Sequence, residues 1–216
     1  MEGRAARRTE IMAAARSCFL RRGFHAASTA EISEKASISV AGLYQYFPTK
    51  ADLILALVEE DLEQDLAWVS SLAQAERLQD GLAALAVQYA SDISCGEAMR
   101  LRLEVTAEAS RDPKIAAVFA EVEARLVTSI TRLLTDRQAK GEIDADLDPA
   151  FTARALLAFL DGLFSWITVG DAHTNEAFVR AAVDLLWRGM MPRQSKPAVS
   201  ARTQPNSAHR RRPPHP

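Results

Sequence analysis

The sequence predicts an all-α fold: a three-helix helix-turn-helix unit over residues 1–50, a larger helical body over 51–191 and a basic tail over 192–216, with about nine helices in all. Three observations lead there. Apolar residues recur at helical spacing, most plainly Ile11, Ala15, Cys18 and Phe19 at i, i+4, i+7 and i+8. Alternating β-branched runs, the signature of strands, are absent. Turn punctuation is sparse, with 9 Gly and 9 Pro among 216 residues.

The elements follow in order. The first helix carries the Ile11–Phe19 stripe and meets Gly23 where a C′ glycine would stop it. Ser28-Thr29-Ala30-Glu31 has the spacing of a capping box and opens a short helix through Ala36. Ser37-Ile38-Ser39 is a turn, and Val40 to Phe47 reads as another short helix, stopped by Pro48. Thr49-Lys50-Ala51-Asp52 starts a long helix to about Ala75. Five more helices follow at roughly 78–94, 97–110, 113–140, 149–170 and 175–191. Pro113 and Pro149 fall near first-turn positions, where proline costs least, and Gly141 and Gly170 are stops. Beyond Met191 the chain turns to Pro, Ser, Arg and Gln without periodicity, and a disordered tail is expected.

Composition narrows the class. A 48% apolar and 25% charged chain is not disordered over most of its length. Two cysteines exclude a disulfide scaffold, and Cys18 and Cys95 are expected to be packing residues in a reducing cytosol. The richest apolar stretch, Ala155 to Val169, is interrupted by Asp161 and falls short of ~20 residues, so no membrane span is expected. The first residues lack the apolar core of a signal peptide, and a cytoplasmic location is expected. Residues 1–50 hold eight Lys/Arg against four acids, 51–191 twelve against twenty-four, and 192–216 six against none. A basic head and tail on an acidic body suit an end that meets polyanions and a body that does not.

Two short helices joined by a tight turn and braced by an earlier helix form a helix-turn-helix, which holds its second helix proud enough to enter a major groove. On a helical wheel Leu43 and Phe47 share a face that should pack on Ile11, Phe19 and Ile32. Ala41, Gly42 and Gln45 point away, flanked by Tyr44 and Tyr46. Two tyrosines beside a glycine on one short exposed helix suit a partner surface; the alternative is that they pack on the helix after Thr49.

The stretches Ala14 to Phe24, Thr29-Ala30-Glu31-Ile32-Ser33 and Leu43-Tyr44-Gln45-Tyr46-Phe47-Pro48-Thr49-Lys50 make Thr9 to Glu60 resemble the N-terminal domain of the tetracycline-repressor (TetR) family. The last stretch carries most of the likeness, since the family's recognition helix reads Leu-Tyr-x-Tyr/His-Phe followed by a polar stretch and Lys. The chain departs from the pattern at Ser37, where the family often has Gly, and at Val40-Ala41-Gly42, where it often has Lys-Gly-Thr. Ser37 is therefore expected to take a left-handed turn. Val40 removes a basic phosphate contact, and Gly42 costs about 1 kcal/mol inside a helix.

The resemblance implies that Thr29 meets a phosphate or base edge, that Tyr44, Tyr46 and Lys50 meet phosphates, and that Ala41, Gly42 and Gln45 face bases. Ser39, Val40 and Thr49 complete the expected DNA face. Gln45 alone can make a bidentate contact, for which adenine is the natural partner, and Ala41 can touch a thymine methyl. Arg4, Arg7 and Arg8 are expected ahead of the first helix, either reaching DNA or simply solvated.

The resemblance also makes the body a ligand-binding and dimerisation domain. Helices 149–170 and 175–191 look apolar around most of their circumference, so Phe151, Leu156, Leu160, Phe164, Phe178, Val183 and Trp187 are expected to form a two-fold, four-helix interface with a second copy. A single-chain core is the alternative. Trp68, Tyr89, Met99, Phe119, Phe159 and Trp166 are candidates for a pocket, with Glu104 as a ligand-facing acid. Arg100, Glu104 and Glu108 would otherwise make an ion-pair ladder at i, i+4, i+8. Asp144 to Asp148 lacks the Gly and distal Glu of a calcium loop and reads as a solvated turn. Phosphate loop, nucleophile elbow and metal-ligand spacing are all missing, so neither an enzyme, a metal nor a cofactor is expected. The sequence thus points to a homodimeric, ligand-released repressor of a palindromic double-stranded DNA operator. A scaffold with a silent helix-turn-helix, or an activator of the same fold, are the alternatives.

Overall fold

The computed structural model describes residues 2–169 and 176–192. The expected stop at Gly170, the side chain of Cys95 and the tail beyond Pro192 lie outside the described residues.

Nine helices and no strand are present among the described residues: α1 (Glu2–Ala26), α2 (Thr29–Lys35), α3 (Val40–Tyr44), α4 (Lys50–Gln74), α5 (Leu78–Ser91), α6 (Ile93–Ala109), α7 (Pro113–Ala139), α8 (Pro149–Val169) and α9 (Glu176–Met190). α1, α2 and α3 pack together at one end. α4 runs from them into the body, where it lies on α7, which in turn contacts α6 and α8, while α9 lies on α5.

Local sequence sets most boundaries. Ser28 Oγ accepts from Glu31 N and caps α2, but the Glu31 carboxylate turns to Arg21 and Arg22 of α1 instead of closing the box. Thr49 and Asp52 form a complete box at the start of α4. Gly23 interrupts α1 at φ 75° and ψ 166°, a conformation open essentially to glycine, so α1 is a long helix with one further turn after the break. Ser37 sits at φ 53°, the left-handed turn the sequence anticipated. α3 is shorter than expected: Gln45 is already its C-cap.

Arg137 closes the far end of the body. Its side chain is 3% exposed, donates to the carbonyls of Leu72, Ala73, Ala75 and Glu76 at the end of α4, and pairs with Glu142 at 2.6 Å. Glu142 also accepts from Leu78 N at the start of α5. Burial opposes the Glu142 charge, yet the Leu78 and Arg137 bonds hold its pKa below the ordinary value. The Asp144–Asp148 turn is structured: Asp144 N donates to Met190 O, and Asp148 Oδ1 caps α8 by accepting from Ala150 N and Phe151 N.

The outer helices differ from expectation. α9 is amphipathic rather than apolar all round: Val179, Val183, Trp187 and Met190 are buried while Phe178 and Leu185 are exposed. α8 spans about the expected residues, but by length and composition Pro149–Thr168 is long and apolar enough to cross a membrane, with a mean hydropathy of 1.4, where no such stretch was expected. It nonetheless places Leu156, Leu163 and Phe164 in the core of its own chain and pairs Asp161 with Arg102 of α6.

Candidate nucleic-acid interface and adjoining cavity

α3 is held by its inner face. Leu43 is fully buried and Phe47 nearly so, in one core with Ile11, Phe19 and Ile32. Ser39 Oγ accepts from Gly42 N and caps the helix. That burial turns Val40, Ala41, Tyr44 and Gln45 outward, with Tyr44 46% exposed. The Tyr44 hydroxyl lies 3.4 Å from Thr29 Oγ1, joining the end of α3 to the start of α2 on one surface. Tyr46 is half-buried beneath Arg4, whose guanidinium stacks 5.4 Å from the ring centroid and donates to Gln45 O at 3.5 Å.

Two expectations change here. Arg4, Arg7 and Arg8 do not precede the first helix but lie within it: Arg7 pairs with Glu10, and Arg8 stacks on Phe47. Arg4 gains a place beside α3 that its position in the sequence did not disclose. Lys50, expected on a phosphate, donates instead to the carbonyls of Phe24, His25 and Ala27 at 2.6, 3.2 and 3.1 Å and lies over the Phe24 ring. Burial lowers its pKa. Gly23 frees these carbonyls by breaking α1, and Lys50 gathers them, so it fastens the start of α4 to the end of α1.

Two further links reach from α6 to the same break. Glu104 Oε2 accepts from Phe24 N at 2.9 Å, and Glu108 Oε1 lies 2.7 Å from His25 Nε2. The expected Arg100–Glu104–Glu108 ladder is therefore replaced: Glu104 faces the helix-turn-helix unit rather than a ligand, and Glu108 pairs with His25 and Arg111.

Behind α4 lies an apolar chamber of about 110 Å³, walled by α4, α5, α6, α7, α8 and α9. Of the candidate pocket residues, Trp68, Tyr89 and Met99 line it. Trp68 meets Tyr89 edge-on at 5.2 Å, and Tyr89 stacks on Phe164 at 3.9 Å. Phe119 lines an adjoining, more polar chamber of about 380 Å³ and carries Arg102 5.4 Å above its ring. Phe159 packs against the core without lining either, and Trp166 is 65% exposed on the outer side of α8.

Asp65, Arg102 and Asp161 were not anticipated. They come from α4, α6 and α8 and meet only through the fold, so no spacing in the sequence signals them. Arg102 pairs with Glu123 and Asp161. Burial opposes its charge, but Asp161 and Glu123 more than compensate and raise its pKa. Asp65 lies between the two chambers, and burial, reinforced by Asp61, Asp161 and Glu123, pushes its pKa up to about 7. Arg16 of α1 pairs with Asp61 at 2.6 Å and Glu60 at 2.9 Å, so the polar chamber touches the helix-turn-helix unit directly. Among the described residues no group of three His, Cys, Asp or Glu is placed to hold a metal ion.

The expected dimer face divides. Leu156, Phe164, Val183 and Trp187 are buried in their own chain's core, because α8 and α9 turn those faces inward onto α7 and α5. Leu160 is half-buried and lines the apolar chamber. Phe151 at 72% and Phe178 at 44% exposure remain outside, joined by Trp166 and by Leu185 at 70%.

Comparison with known proteins finds two family models on the chain. Residues 11–57 match the model of the bacterial regulatory proteins of the tetR family, and residues 75–188 match that of the BetI-type transcriptional repressor C-terminal region. The chain is 31% identical to the HTH-type transcriptional regulator UidR of Escherichia coli K12, over 80% of this chain and 87% of that protein. It is 26% identical to the HTH-type transcriptional repressor AcnR of Corynebacterium glutamicum, over 76% and 82% respectively. Among solved structures it resembles Salmonella enterica GusR, with a TM-score of 0.73 and 30% identity, over 85% of this chain and 96% of that one.

Proposed function

As the chain belongs to the tetR family of bacterial regulatory proteins and is a DNA-binding transcriptional regulator, we propose that it is a homodimeric repressor, acting in the cytoplasm, that a small molecule releases from a palindromic operator. The observation that carries the reading is the run from cavity to recognition helix. α4 and α6 both wall the cavity, and both end on the broken turn of α1: α4 through Lys50, α6 through Glu104 and Glu108.

The mechanism is control of separation. Two recognition helices fit successive major grooves only when they lie about 34–36 Å apart. A ligand that wedges between α4 and α6 tilts the units that those helices carry, and it shifts the population off DNA by no more than its differential affinity for the tilted form. Phe151, Trp166, Phe178 and Leu185 form the candidate two-fold face, since exposed apolar groups on neighbouring helices suit burial against a copy. In the recognition helix, Gln45 and Ala41 read bases, while Tyr44, Thr29 and Arg4 set the register on phosphates.

Selection of bound duplexes from a random library tests the reading. A palindrome with half-sites about one helical turn apart is expected, bound by a dimer with affinity that falls steeply as salt rises. Failure to retain any duplex at low salt would favour the silent helix-turn-helix instead.

A further inference from the structure

The cavity has a charge pattern that its apolar chamber alone would not suggest. Seven carboxylates and two guanidiniums line the two chambers. Both guanidiniums are engaged: Arg16 with Asp61 and Glu60, Arg102 with Glu123 and Asp161. Asp65, which faces both chambers, receives no hydrogen bond or ion pair from any described residue. Above it stand Trp68, Tyr89 and Phe164, whose rings form one contiguous aromatic wall.

We propose that the effector is a compact amphipathic cation, a protonated amine or guanidinium on a single aromatic ring or short alkyl body, with its charge on Asp65 and its body against the Trp68–Tyr89 wall. The inference rests on the reading of this cavity as the effector site. Size bounds it: a cavity of roughly 150 Å³ accepts a benzene ring, so the apolar chamber of about 110 Å³ takes a short alkyl body whole, or a single ring that extends into the adjoining polar chamber of about 380 Å³, which takes the head. Charge supports it too. A carboxylate or phosphate ligand would need an unengaged cation and would meet the surplus acids at close range. A cation offsets that surplus and gives Asp65 the partner that folding does not supply. The aromatic faces add a favourable quadrupole for a desolvated cation.

The environment of Asp65 explains why the partner must come from outside. Asp61 precedes it by one turn of α4, Arg102 faces it from α6, Glu123 from α7 and Asp161 from α8. Arg102 is the sole cation among these neighbours and is shared by the other carboxylates. Burial in this acidic setting leaves Asp65 titrating near neutrality, so a cationic ligand should bind better as pH rises from 6 to 8.

Calorimetry on the full chain with three probes of matched body decides the matter: 2-phenylethylamine, 2-phenylethanol and 3-phenylpropionate. The amine is expected to bind at least tenfold tighter than the alcohol, to tighten from pH 6 to pH 8, and to leave the carboxylate undetected. Asp65→Asn is expected to weaken the amine at least tenfold and to leave the alcohol within about twofold. Equal or tighter binding of the alcohol or the carboxylate, or an Asp65→Asn protein that binds the amine unchanged, would overturn the cationic class while the cavity reading stands. No binding by any probe to protein that still binds DNA would overturn both. The comparison on unmodified protein keeps the test valid whatever the stability of the variant.

Discussion

The backbone N–H of Phe24 donates to the Glu104 carboxylate at 2.9 Å across an 80-residue separation in sequence. Gly23 makes the bond possible: the break in α1 turns Phe24 N away from the helical ladder, and a Cβ at position 23 would stand 3.2 Å from the same carboxylate oxygen. Glu104→Ala should therefore leave a half-buried donor unsatisfied and cost about 1–3 kcal/mol. Glu104→Gln, which keeps an acceptor oxygen, should recover most of it. Urea unfolding of the two variants checks this, and equal stability of Glu104→Ala and the unmodified protein would argue against the link.

Lys50 separates a structural from a DNA-contacting role. Its ammonium gathers three carbonyls of the α1 break. Lys50→Ala should lower stability by about 1.5–3 kcal/mol, the range for hydrogen bonds to a charged group. For a chain of this size that is roughly 2–4 °C in Tm per kcal/mol. A lysine that served only a phosphate would leave Tm unchanged and reduce the salt slope of DNA binding by about one unit per contact. Thermal unfolding and salt titration together distinguish the two.

Gln45 is exposed and caps α3 through its backbone alone. Gln45→Ala should leave Tm within about 1 °C and binding to random duplex unchanged. Discrimination at one operator position should fall by about 1–3 kcal/mol, the value of a bidentate base contact. Competition between the selected operator and single-base variants reads the effect.

Burial predicts opposite outcomes for two glutamate substitutions in the outer helices. Leu185 is 70% exposed, so Leu185→Glu should give a folded monomer that binds the operator weakly. Trp187 is 7% exposed, so Trp187→Glu should bury an unpaired charge and unfold the chain. Sedimentation with circular dichroism separates monomer formation from unfolding. A folded monomer from Trp187→Glu would place that side chain at the interface after all.

Asp65 gives a pH dependence of stability. Its folded pKa of about 7 lies above the ordinary 3.8, so between those values the folded chain holds a proton that the unfolded chain has lost. Stability therefore falls as pH rises through that window and stays low above it. Asp65→Asn removes the penalty: its Tm should exceed that of the unmodified protein at pH 8 and approach it near pH 4. An equal difference at both pH values would contradict the buried-acid reading.

The sequence by itself determined the helical class, the order of the helices and the form of the helix-turn-helix. These rest on local chemistry: the Ile11–Phe19 stripe, the Ser28 and Thr49 caps, the prolines at 113 and 149, and the left-handed Ser37. Leu43 and Phe47 were legible as inward residues because i, i+4 spacing puts both on one face of the short helical segment. What only the tertiary structure decided depends on which helix lies against which. α9 packs on α5, which buried Val183 and Trp187 and left Phe178 and Leu185 outside; the stripe Val179, Val183, Trp187 and Met190 is spaced as an amphipathic helix, but only the packing shows that α5 of the same chain covers it. Lys50 and Glu104 found backbone partners at the α1 break rather than DNA or ligand, because Gly23 exposes polar groups that long-range neighbours must satisfy. Asp65, Arg102 and Asp161 share no helix and no spacing. Their meeting at the cavity floor follows from the packing of α4, α6 and α8, and their charges acquire meaning only where that packing excludes water.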